Sequence, residues 1–177
     1  MSQVRFIGCL HFGHESVARW RGFQDSFYHD EKLIDYWNRT VHKKDLTYIL
    51  GDISMETSTE YYKLDRLAGR KIVVLGNHDL WKDVPELLKY VDGVAGMIDY
   101  KKFALTHAPI HVSEIGQYVG NIHAHIHHNN KLADFDVNLK YDDVENNPVI
   151  NTKGKYFNVD ANLIDFKPKT LEELLKL

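Results

Sequence analysis

The stretch Ile72-Val73-Val74-Leu75-Gly76-Asn77-His78-Asp79 decides the fold. Its first four residues form a short, continuous apolar run, which is the pattern of a strand covered on both faces in an α/β protein. Gly76 lets the chain turn sharply as it leaves the sheet. An amide, an imidazole and a carboxylate follow at once, where open α/β sheets bind their ligands. The stretch therefore predicts both a buried strand and a site at its carboxyl end.

Three further predicted strands end in polar side chains. Because the carboxyl ends of parallel strands meet at one edge of a sheet, we expect these side chains to converge with those that follow Gly76. In chain order they are Cys9 and His11 after residues 4–8, Asp52 after residues 46–50, and His107 after residues 103–106.

Histidine is the unusual feature of the composition, because six of the 11 histidines fall between His107 and His128. In an extended chain, residues two apart point to the same side, so up to three imidazoles, those of His123, His125 and His127, would face one site. Together with the loops above, they offer enough imidazole, carboxylate and amide groups for two metal ions. Mixed nitrogen and oxygen ligation suits Zn, Mn or Fe better than Ca or Mg.

The remaining pattern predicts strands that alternate with helices at first and then strands alone, which indicates an α/β protein with mixed sheets. One domain is expected over residues 1–177. The expected helices cover residues 30–41, a segment opened by a Thr57/Glu60 capping box, a short helix at Pro85, and a terminal helix opened by a Thr170/Glu173 capping box. Residues 94–98 and 103–106 are expected as neighbouring strands, 129–152 as mostly loop, and 156–159 as a late strand.

The composition indicates the class of protein, its expected location and the partners to expect. With 44% hydrophobic and 27% charged residues the chain reads as an ordinary soluble protein, and no apolar run approaches the roughly 20 residues of a membrane helix. The N-terminus lacks the pattern of a signal peptide, and a single cysteine excludes an internal disulfide, so a cytoplasmic location is expected. A net charge of −3 provides no positive field that would attract long nucleic acid. Nucleic acid is therefore considered only as a possible substrate. The sequence does not fix the oligomeric state.

Five ordered segments resemble the motifs D-x-H, GD, GNHD, H and GHxH of the calcineurin-like metallophosphoesterases. The segment His11-Phe12-Gly13-His14 further resembles the small single-domain bacterial and phage members. The resemblance implies a four-layer α/β/β/α sandwich with two mixed β-sheets. The five segments are Cys9-Leu10-His11, Gly51-Asp52, Gly76-Asn77-His78-Asp79, Thr106-His107 and Ala124-His125-Ile126-His127.

The resemblance also implies a metal-dependent phosphoesterase with two divalent or transition-metal ions, drawn from Mn, Zn, Fe or Ni. A hydroxide bridging the metals would attack phosphorus in line. His78 would protonate the leaving oxygen, and Asp79 would orient His78. The implied ligands are Cys9, His11, Asp52 and His127 for the first metal, and Asp52, Asn77, His107 and His125 for the second, with Asp52 bridging.

The expected substrate is a small phosphodiester or nucleotide-type phosphoester. His14 lies close to the first motif and is expected at the substrate. Arg21 is either a clamp for a phosphate oxygen, through its bidentate fork, or a surface charge. No motif claims His111, His123 or His128 as ligands.

Two positions depart from the motifs. Ala124 stands in place of glycine, which is mild unless the backbone needs a positive φ. Cys9 stands in place of aspartate, and a thiolate is softer than a carboxylate and selects Zn, Fe or Cu(I). Three interpretations stay open: a natural thiolate ligand, an empty or weakened first site, or an introduced mutation. The alternative functions are accordingly a metal-binding scaffold or pseudoenzyme, and a phosphatase gated by oxidation of Cys9.

Overall fold

The computed structural model describes residues 2–111, 113–127 and 156–176. Two mixed β-sheets are flanked by helices, which confirms the predicted α/β class with two mixed sheets. The strands are β1 (Val4–Ile7), β2 (Leu46–Leu50), β3 (Arg70–Val74), β4 (Gly93–Ala95), β5 (Ile98–Tyr100), β6 (Phe103–Leu105), β7 (Gly120–His123), β8 (Tyr156–Asn158) and β9 (Lys169–Thr170). The α-helices are α1 (Glu15–Trp20), α2 (Ser26–Thr40), α3 (Val84–Leu87) and α4 (Leu171–Leu174), and 3₁₀ helices cover Tyr61–Arg66, Trp81–Asp83 and Ile115–Gln117.

The first sheet has the strand order β4-β3-β2-β1-β9. Strands β1 to β4 run parallel, and β9 pairs antiparallel with β1. The register places Phe6 opposite Tyr48, and Tyr48 opposite Ile72. Since β1, β2 and β3 are neighbours and parallel, the loops that follow them leave the sheet at the same edge, as the sequence predicts.

The second sheet has the order β5-β6-β7-β8. Strands β5 and β6 form an antiparallel hairpin whose turn residues, Lys101 and Lys102, have φ of 51° and 65°. Strands β6, β7 and β8 are parallel, so they also end at a common edge. The rings of Phe6 and Tyr100 meet edge-on at 5.5 Å and join the two sheets.

One strand prediction is wrong. Residues 94–98 were expected as a single strand beside β6, but the chain changes sheets within that stretch. Strand β4 lies at the edge of the first sheet, and β5 belongs to the second. Gly96 and Met97 make the crossing. Residues 94–98 form one unbroken run of apolar and small residues, so the sequence does not reveal the change of sheet.

Two helix ends are set by side-chain caps. Helix α2 begins at Ser26, four residues before the predicted start, because the Asp25 carboxylate accepts a hydrogen bond from the Tyr28 backbone N–H at 3.0 Å. Its predicted apolar face is buried. The capping box of Thr170 and Glu173 at the start of α4 is confirmed in both directions.

The other predicted capping box is wrong. Thr57 Oγ1 accepts from the Thr59 backbone N–H at 3.2 Å, and the Glu60 carboxylate pairs with Lys63. The segment therefore begins as the 3₁₀ helix Tyr61–Arg66 without a side-chain cap. The apolar face predicted for it is nevertheless buried.

The core lies between and around the two sheets, with Trp37, Tyr61 and Phe6 among its largest fully buried side chains. None of the helices in the described ranges combines the length and apolarity needed to cross a bilayer. The loop predicted over residues 129–152 lies outside the described residues.

Candidate metal centre

The loops that follow β1, β2, β3, β6 and β7 meet at one place. The His11 backbone N–H donates to the Asp52 carbonyl at 2.9 Å, and the His78 N–H donates to Asp52 Oδ1 at 3.1 Å. The Ala124 N–H donates to the His107 carbonyl at 2.8 Å. These bonds fix the loops relative to one another, so the polar side chains predicted at strand ends are brought together.

A first group of side chains consists of Cys9, His11 and His127. The thiol sulfur and one ring nitrogen from each histidine lie within 4.8 Å of one another. His11 is only 2% exposed, and neither of its ring nitrogens has a hydrogen-bond partner among the described residues. An unsatisfied buried polar group costs free energy, and a metal ion would remove part of that cost by binding the lone pair of one ring nitrogen. The first group therefore fits a metal ion with nitrogen and sulfur ligands.

A second group consists of Asp52, Asn77, His107 and His125. Its centre is His107 Nε2, which lies 3.0 Å from Asn77 Oδ1, 3.0 Å from His125 Nδ1 and 3.2 Å from Asp52 Oδ2. His107 Nδ1 donates to the Leu50 carbonyl at 2.8 Å, which leaves the Nε2 lone pair facing the group. Two imidazole nitrogens, an amide oxygen and a carboxylate oxygen thus converge, and this donor set suits a divalent transition-metal ion.

Cys9 lies within reach of both groups, because its sulfur is also within 4.8 Å of ligand atoms of Asp52 and His107. The His125 backbone N–H donates to the sulfur at 3.2 Å. Burial raises the pKa of the Cys9 thiol well above its usual value, and the charges of Asp160 and Asp52 raise it further. Burial therefore favours the neutral thiol, and a bound metal ion would supply the positive charge that favours the thiolate.

The charge states of the other donors follow from burial and pairing. Burial lowers the pKa of His11 to about 3, so its imidazole is neutral, the form that ligates metal. Burial opposes ionisation of Asp52, but in the metal-free centre the hydrogen bond and charge of the protonated His107 ring outweigh it and lower the Asp52 pKa. Burial likewise opposes protonation of His107, but Asp52 raises the His107 pKa.

His78 lies at the rim of the centre. Its side chain is 25% exposed, and its ring centroid is 6.0 Å from that of His11. Its Nδ1 lies 3.3 Å from Glu56 Oε1, a contact that sequence reasoning missed. His14, the residue before α1, is also near, with its ring 5.8 Å from that of His11. The predicted proton donor, His78, and the predicted substrate contact, His14, therefore both lie beside His11 of the first group.

The role predicted for Asp79 needs correction, because its carboxylate turns into the loops rather than toward the His78 ring. It accepts hydrogen bonds from the backbone N–H groups of Asp52 at 2.7 Å, Ile53 at 2.9 Å and Gly76 at 2.8 Å. Asp79 thus clamps the loop after β2 to the loop after β3. Glu56, not Asp79, contacts the His78 ring.

Arg21 is not placed to clamp a phosphate, nor is it a surface charge, because its side chain is 0% exposed. It donates from Nη2 to the Cys9 carbonyl at 2.9 Å and from Nη1 to His29 Nε2 at 2.9 Å. Nη2 also lies 3.3 Å from Asp160. Both terminal nitrogens of the guanidinium are therefore engaged inside the protein.

Asp160 is the second residue that sequence reasoning missed. It is fully buried, and its Oδ2 accepts from His127 Nδ1 at 2.9 Å. It follows the late strand predicted at residues 156–159, so the rule that found the other site residues would have found it. It was not predicted because it belongs to none of the five family motifs.

The prediction that three histidines share one face of an extended chain is wrong. Strand β7 ends at His123, and His125 and His127 have φ of 69° and 49°. His123 is buried and donates from Nδ1 to a neighbouring carbonyl, whereas His125 and His127 reach the centre through the turn. His111 is exposed and belongs to neither group, and His128 lies outside the described residues.

Ala124 fits its position without strain, since it is not among the residues with positive φ. Its methyl group packs against Gly8. A Cβ added at Gly8 would lie 2.5 Å from the Ala124 Cβ. Alanine therefore fits where the family motif has glycine, because Gly8 in the neighbouring segment leaves room for its methyl group.

The sequence profile described as calcineurin-like phosphoesterase matches residues 3–175. The chain belongs to the calcineurin-like phosphoesterase family. Membership indicates metal-dependent phosphoester hydrolysis as the class of chemistry, and the two groups of donors provide side chains suited to a divalent metal.

The relatives of this calcineurin-like phosphoesterase that are described next have no activity in their names. An uncharacterized protein of Methanocaldococcus jannaschii is 28% identical over 182 residues, which cover 100% of this chain and 92% of the relative. The Gene 66 protein of Mycobacterium phage D29 is 39% identical over 97 residues, covering 49% of this chain and 47% of that protein. A solved protein of unknown function from Aquifex aeolicus, AQ665, aligns over 99% of both chains with a TM-score of 0.69 and 21% identity, which supports the fold.

Proposed function

We propose that the protein is a dinuclear-metal-dependent phosphoester hydrolase that acts on a small phosphodiester or nucleotide-type substrate. The observation that carries the proposal is the buried His11 ring, whose two nitrogens have no partner in the described part of the chain. It stands beside a thiol and a second imidazole, next to a second converging set of donors. We assign Cys9, His11, Asp52 and His127 to a first metal, and Asp52, Asn77, His107 and His125 to a second.

The metal ions, drawn from Mn, Zn, Fe or Ni, would polarise the phosphoryl oxygens and activate a water molecule as the nucleophile. The chain's own residues hold the ligands and handle the leaving group. Glu56 engages His78 Nδ1, so Nε2 is the atom that would deliver a proton to the leaving oxygen. Asp79 keeps the loop after β2 fixed against the loop after β3.

A small substrate is favoured over a long polymer. The net charge of −3 offers no general attraction for nucleic acid, so the substrate's charge must be met locally. His14 lies at the rim beside His11, where we expect it to contact the substrate. The single buried thiol agrees with a reducing compartment, so we retain a cytoplasmic location in the proposal.

The direct test is hydrolysis of a chromogenic phosphodiester by the metal-loaded protein. We expect turnover with Mn, Zn, Ni or Fe, and a loss of about 10²- to 10⁴-fold in His78→Gln with metal content unchanged. His111→Gln is the matched control, because this exposed histidine lies outside both groups; we expect it to keep wild-type turnover. A folded, metal-loaded wild-type protein with no turnover would contradict the proposal.

The second candidate function is a metal-binding scaffold or pseudoenzyme, and Cys9 at the first-motif position is what favours it. His78→Gln separates the two functions, since an unchanged hydrolysis rate and unchanged metal content would support the scaffold. Gating by oxidation of Cys9 is disfavoured, because thiol oxidation requires access and Cys9 is 0% exposed.

A further inference from the structure

A chain of buried polar side chains leads away from the first group and belongs to none of the five motifs. We call Asp160, Arg21, His29 and Asp30 the buried network. Asp160 follows β8, Arg21 follows α1, and the other two lie on α2. The side chains of Asp160 and Arg21 are both 0% exposed, and that of His29 is also 0% exposed.

One end of the buried network fixes His127. The ring donates from Nδ1 to Asp160 Oδ2 at 2.9 Å, so its lone pair is at Nε2. The carboxylate cannot turn freely, because Oδ1 accepts from the Asn162 backbone N–H at 2.9 Å and both oxygens lie within 3.4 Å of Arg21 Nη2. The tautomer and the direction of the His127 ring are therefore both set by Asp160.

The other contacts of the buried network fix the loop that carries Cys9 and His11. Arg21 Nη2 donates to the Cys9 carbonyl at 2.9 Å. Four residues further on, the Gly13 backbone N–H donates to Asp30 Oδ2 at 2.9 Å. The loop is thus held on both sides of His11, whose own ring makes no hydrogen bond to the described residues.

The links between these contacts are continuous. Arg21 Nη1 donates to His29 Nε2 at 2.9 Å, and His29 donates from Nδ1 to Asp30 Oδ1 at 2.8 Å. The contacts that the buried network makes toward the site are therefore to His127 and to the loop that carries Cys9 and His11. A histidine ligand that donates its other ring nitrogen to a carboxylate is the usual means of orienting the ligating nitrogen.

We propose that Asp160 and Arg21 are positioning residues for the first metal. Asp160 holds His127 with Nε2 directed at the first group, and Arg21 holds the Cys9 backbone and the Asp160 carboxylate together. The inference rests on the proposed function, because it concerns the same metal centre. Burying an arginine and an aspartate carries a desolvation cost, and a gain in ligand orientation accounts for retaining them.

The experiment uses Co²⁺ as the probe of the first metal. Cys9 is the only cysteine in the chain and is assigned to the first metal, so a Co²⁺–thiolate absorption band reports Co²⁺ bound at Cys9, and its dependence on His127 identifies it with the first group. The metal-free protein is titrated with Co²⁺ against a competing chelator, without any activity assay. We expect Asp160→Asn to weaken the binding that gives the band by about 10- to 100-fold.

Two variants guard against a general loss of folding. The pair Asp160→Asn with Arg21→Gln removes both charges and leaves neither unpaired, and we expect the same loss of affinity. Asp45→Asn is the matched control, since Asp45 is 1% exposed and pairs with Arg5 at 3.3 Å at the start of β2, away from the site. We expect Asp45→Asn to keep wild-type Co²⁺ affinity even if the fold is less stable.

A double-mutant cycle with His127→Gln completes the test. If Asp160 acts through His127, adding Asp160→Asn to His127→Gln causes no further loss of Co²⁺ affinity. Wild-type affinity in Asp160→Asn and in the pair, or an equal loss in Asp45→Asn, would overturn the inference and leave the proposed function intact. A wild-type protein that binds Co²⁺ without a thiolate band would instead overturn the proposed first metal and the inference with it.

Discussion

Among single residues, we expect Cys9 to have the most direct effect on which metal the proposed centre binds. The thiol sulfur lies within 4.8 Å of donor atoms from both groups, so its chemistry affects the whole site. A thiolate is softer than the aspartate found in the family motif and favours Zn or Fe over harder ions. The protein fold tolerates the thiol, which is buried and accepts a backbone hydrogen bond from His125.

Replacing Cys9 should therefore change metal preference. We expect the wild type to be shifted toward Zn or Fe, or to hold its first metal more weakly, relative to Cys9→Asp. The measurement is metal content by mass spectrometry after dialysis against an equimolar mixture of Mn, Fe, Ni and Zn. Equal content and equal preference in both proteins would contradict the thiolate assignment.

Site residues could be predicted from the sequence where a position directly after a strand was enough to place them in the site. Asp52, Asn77 and His107 follow strands, and the structure places them together. The roles of Asp79 and Arg21 were not predictable, because they depend on which way a side chain turns inside a loop. Sequence spacing carries no information on that direction.

At the scale of elements, the centre depends on loops held against one another. The Asp79 carboxylate accepts from three backbone N–H groups, two after β2 and one after β3. Burial raises the Asp79 pKa, although these hydrogen bonds favour the ionised form. Strand positions were predicted well from apolar runs, but the sheet to which β4 belongs depends on long-range pairing that no local pattern encodes.

Removing the Asp79 charge should loosen these loops. Asp79→Asn replaces one acceptor oxygen with a donor NH₂ that faces backbone N–H groups, so a buried donor is left unsatisfied. We expect the free energy of unfolding of the metal-free protein to fall by about 1–3 kcal/mol, together with loss of metal affinity. Urea denaturation and a metal titration measure the two effects. Unchanged stability would show that the clamp is not needed.

Close packing of the same loops gives a second prediction at this scale. A Cβ at Gly76 would lie 2.3 Å from Asp52 Oδ1, whereas a Cβ at Gly93 would meet nothing within 4 Å. We expect Gly76→Ala to displace the Asp52 carboxylate and to lower bound metal and hydrolysis together. Gly93→Ala, the control, should match the wild type in both assays. Full metal content in Gly76→Ala would contradict the placement of Asp52.

For the whole molecule, burial of neutral histidines links stability to pH. Burial lowers the His29 pKa, and the charges of Arg21 and Lys63 lower it further, against the opposing effect of Asp30. The unfolded chain takes up a proton near the ordinary value of about 6.5, before the folded chain does. Stability is therefore retained above that pH and lost as the pH falls below it.

The expected result is a steeper loss of stability in the wild type than in His29→Gln between pH 7.5 and pH 5.5. Linkage limits the contribution of one group to about 1.4 kcal/mol per pH unit. Urea denaturation of the metal-free proteins at several pH values measures the difference. Parallel curves for the two proteins would mean that His29 is protonated equally in the folded and unfolded states.

The two sheets together create the centre, since the first sheet supplies the first three motif loops and the second supplies His107, His125 and His127. The decisive measurement is the metal content of protein purified without chelators, read alongside phosphodiester hydrolysis before and after metal removal. The account predicts two metal ions per folded chain, with hydrolysis lost on chelation and restored when metal is returned. A folded chain that binds no metal, or hydrolysis that survives complete metal removal, would contradict it.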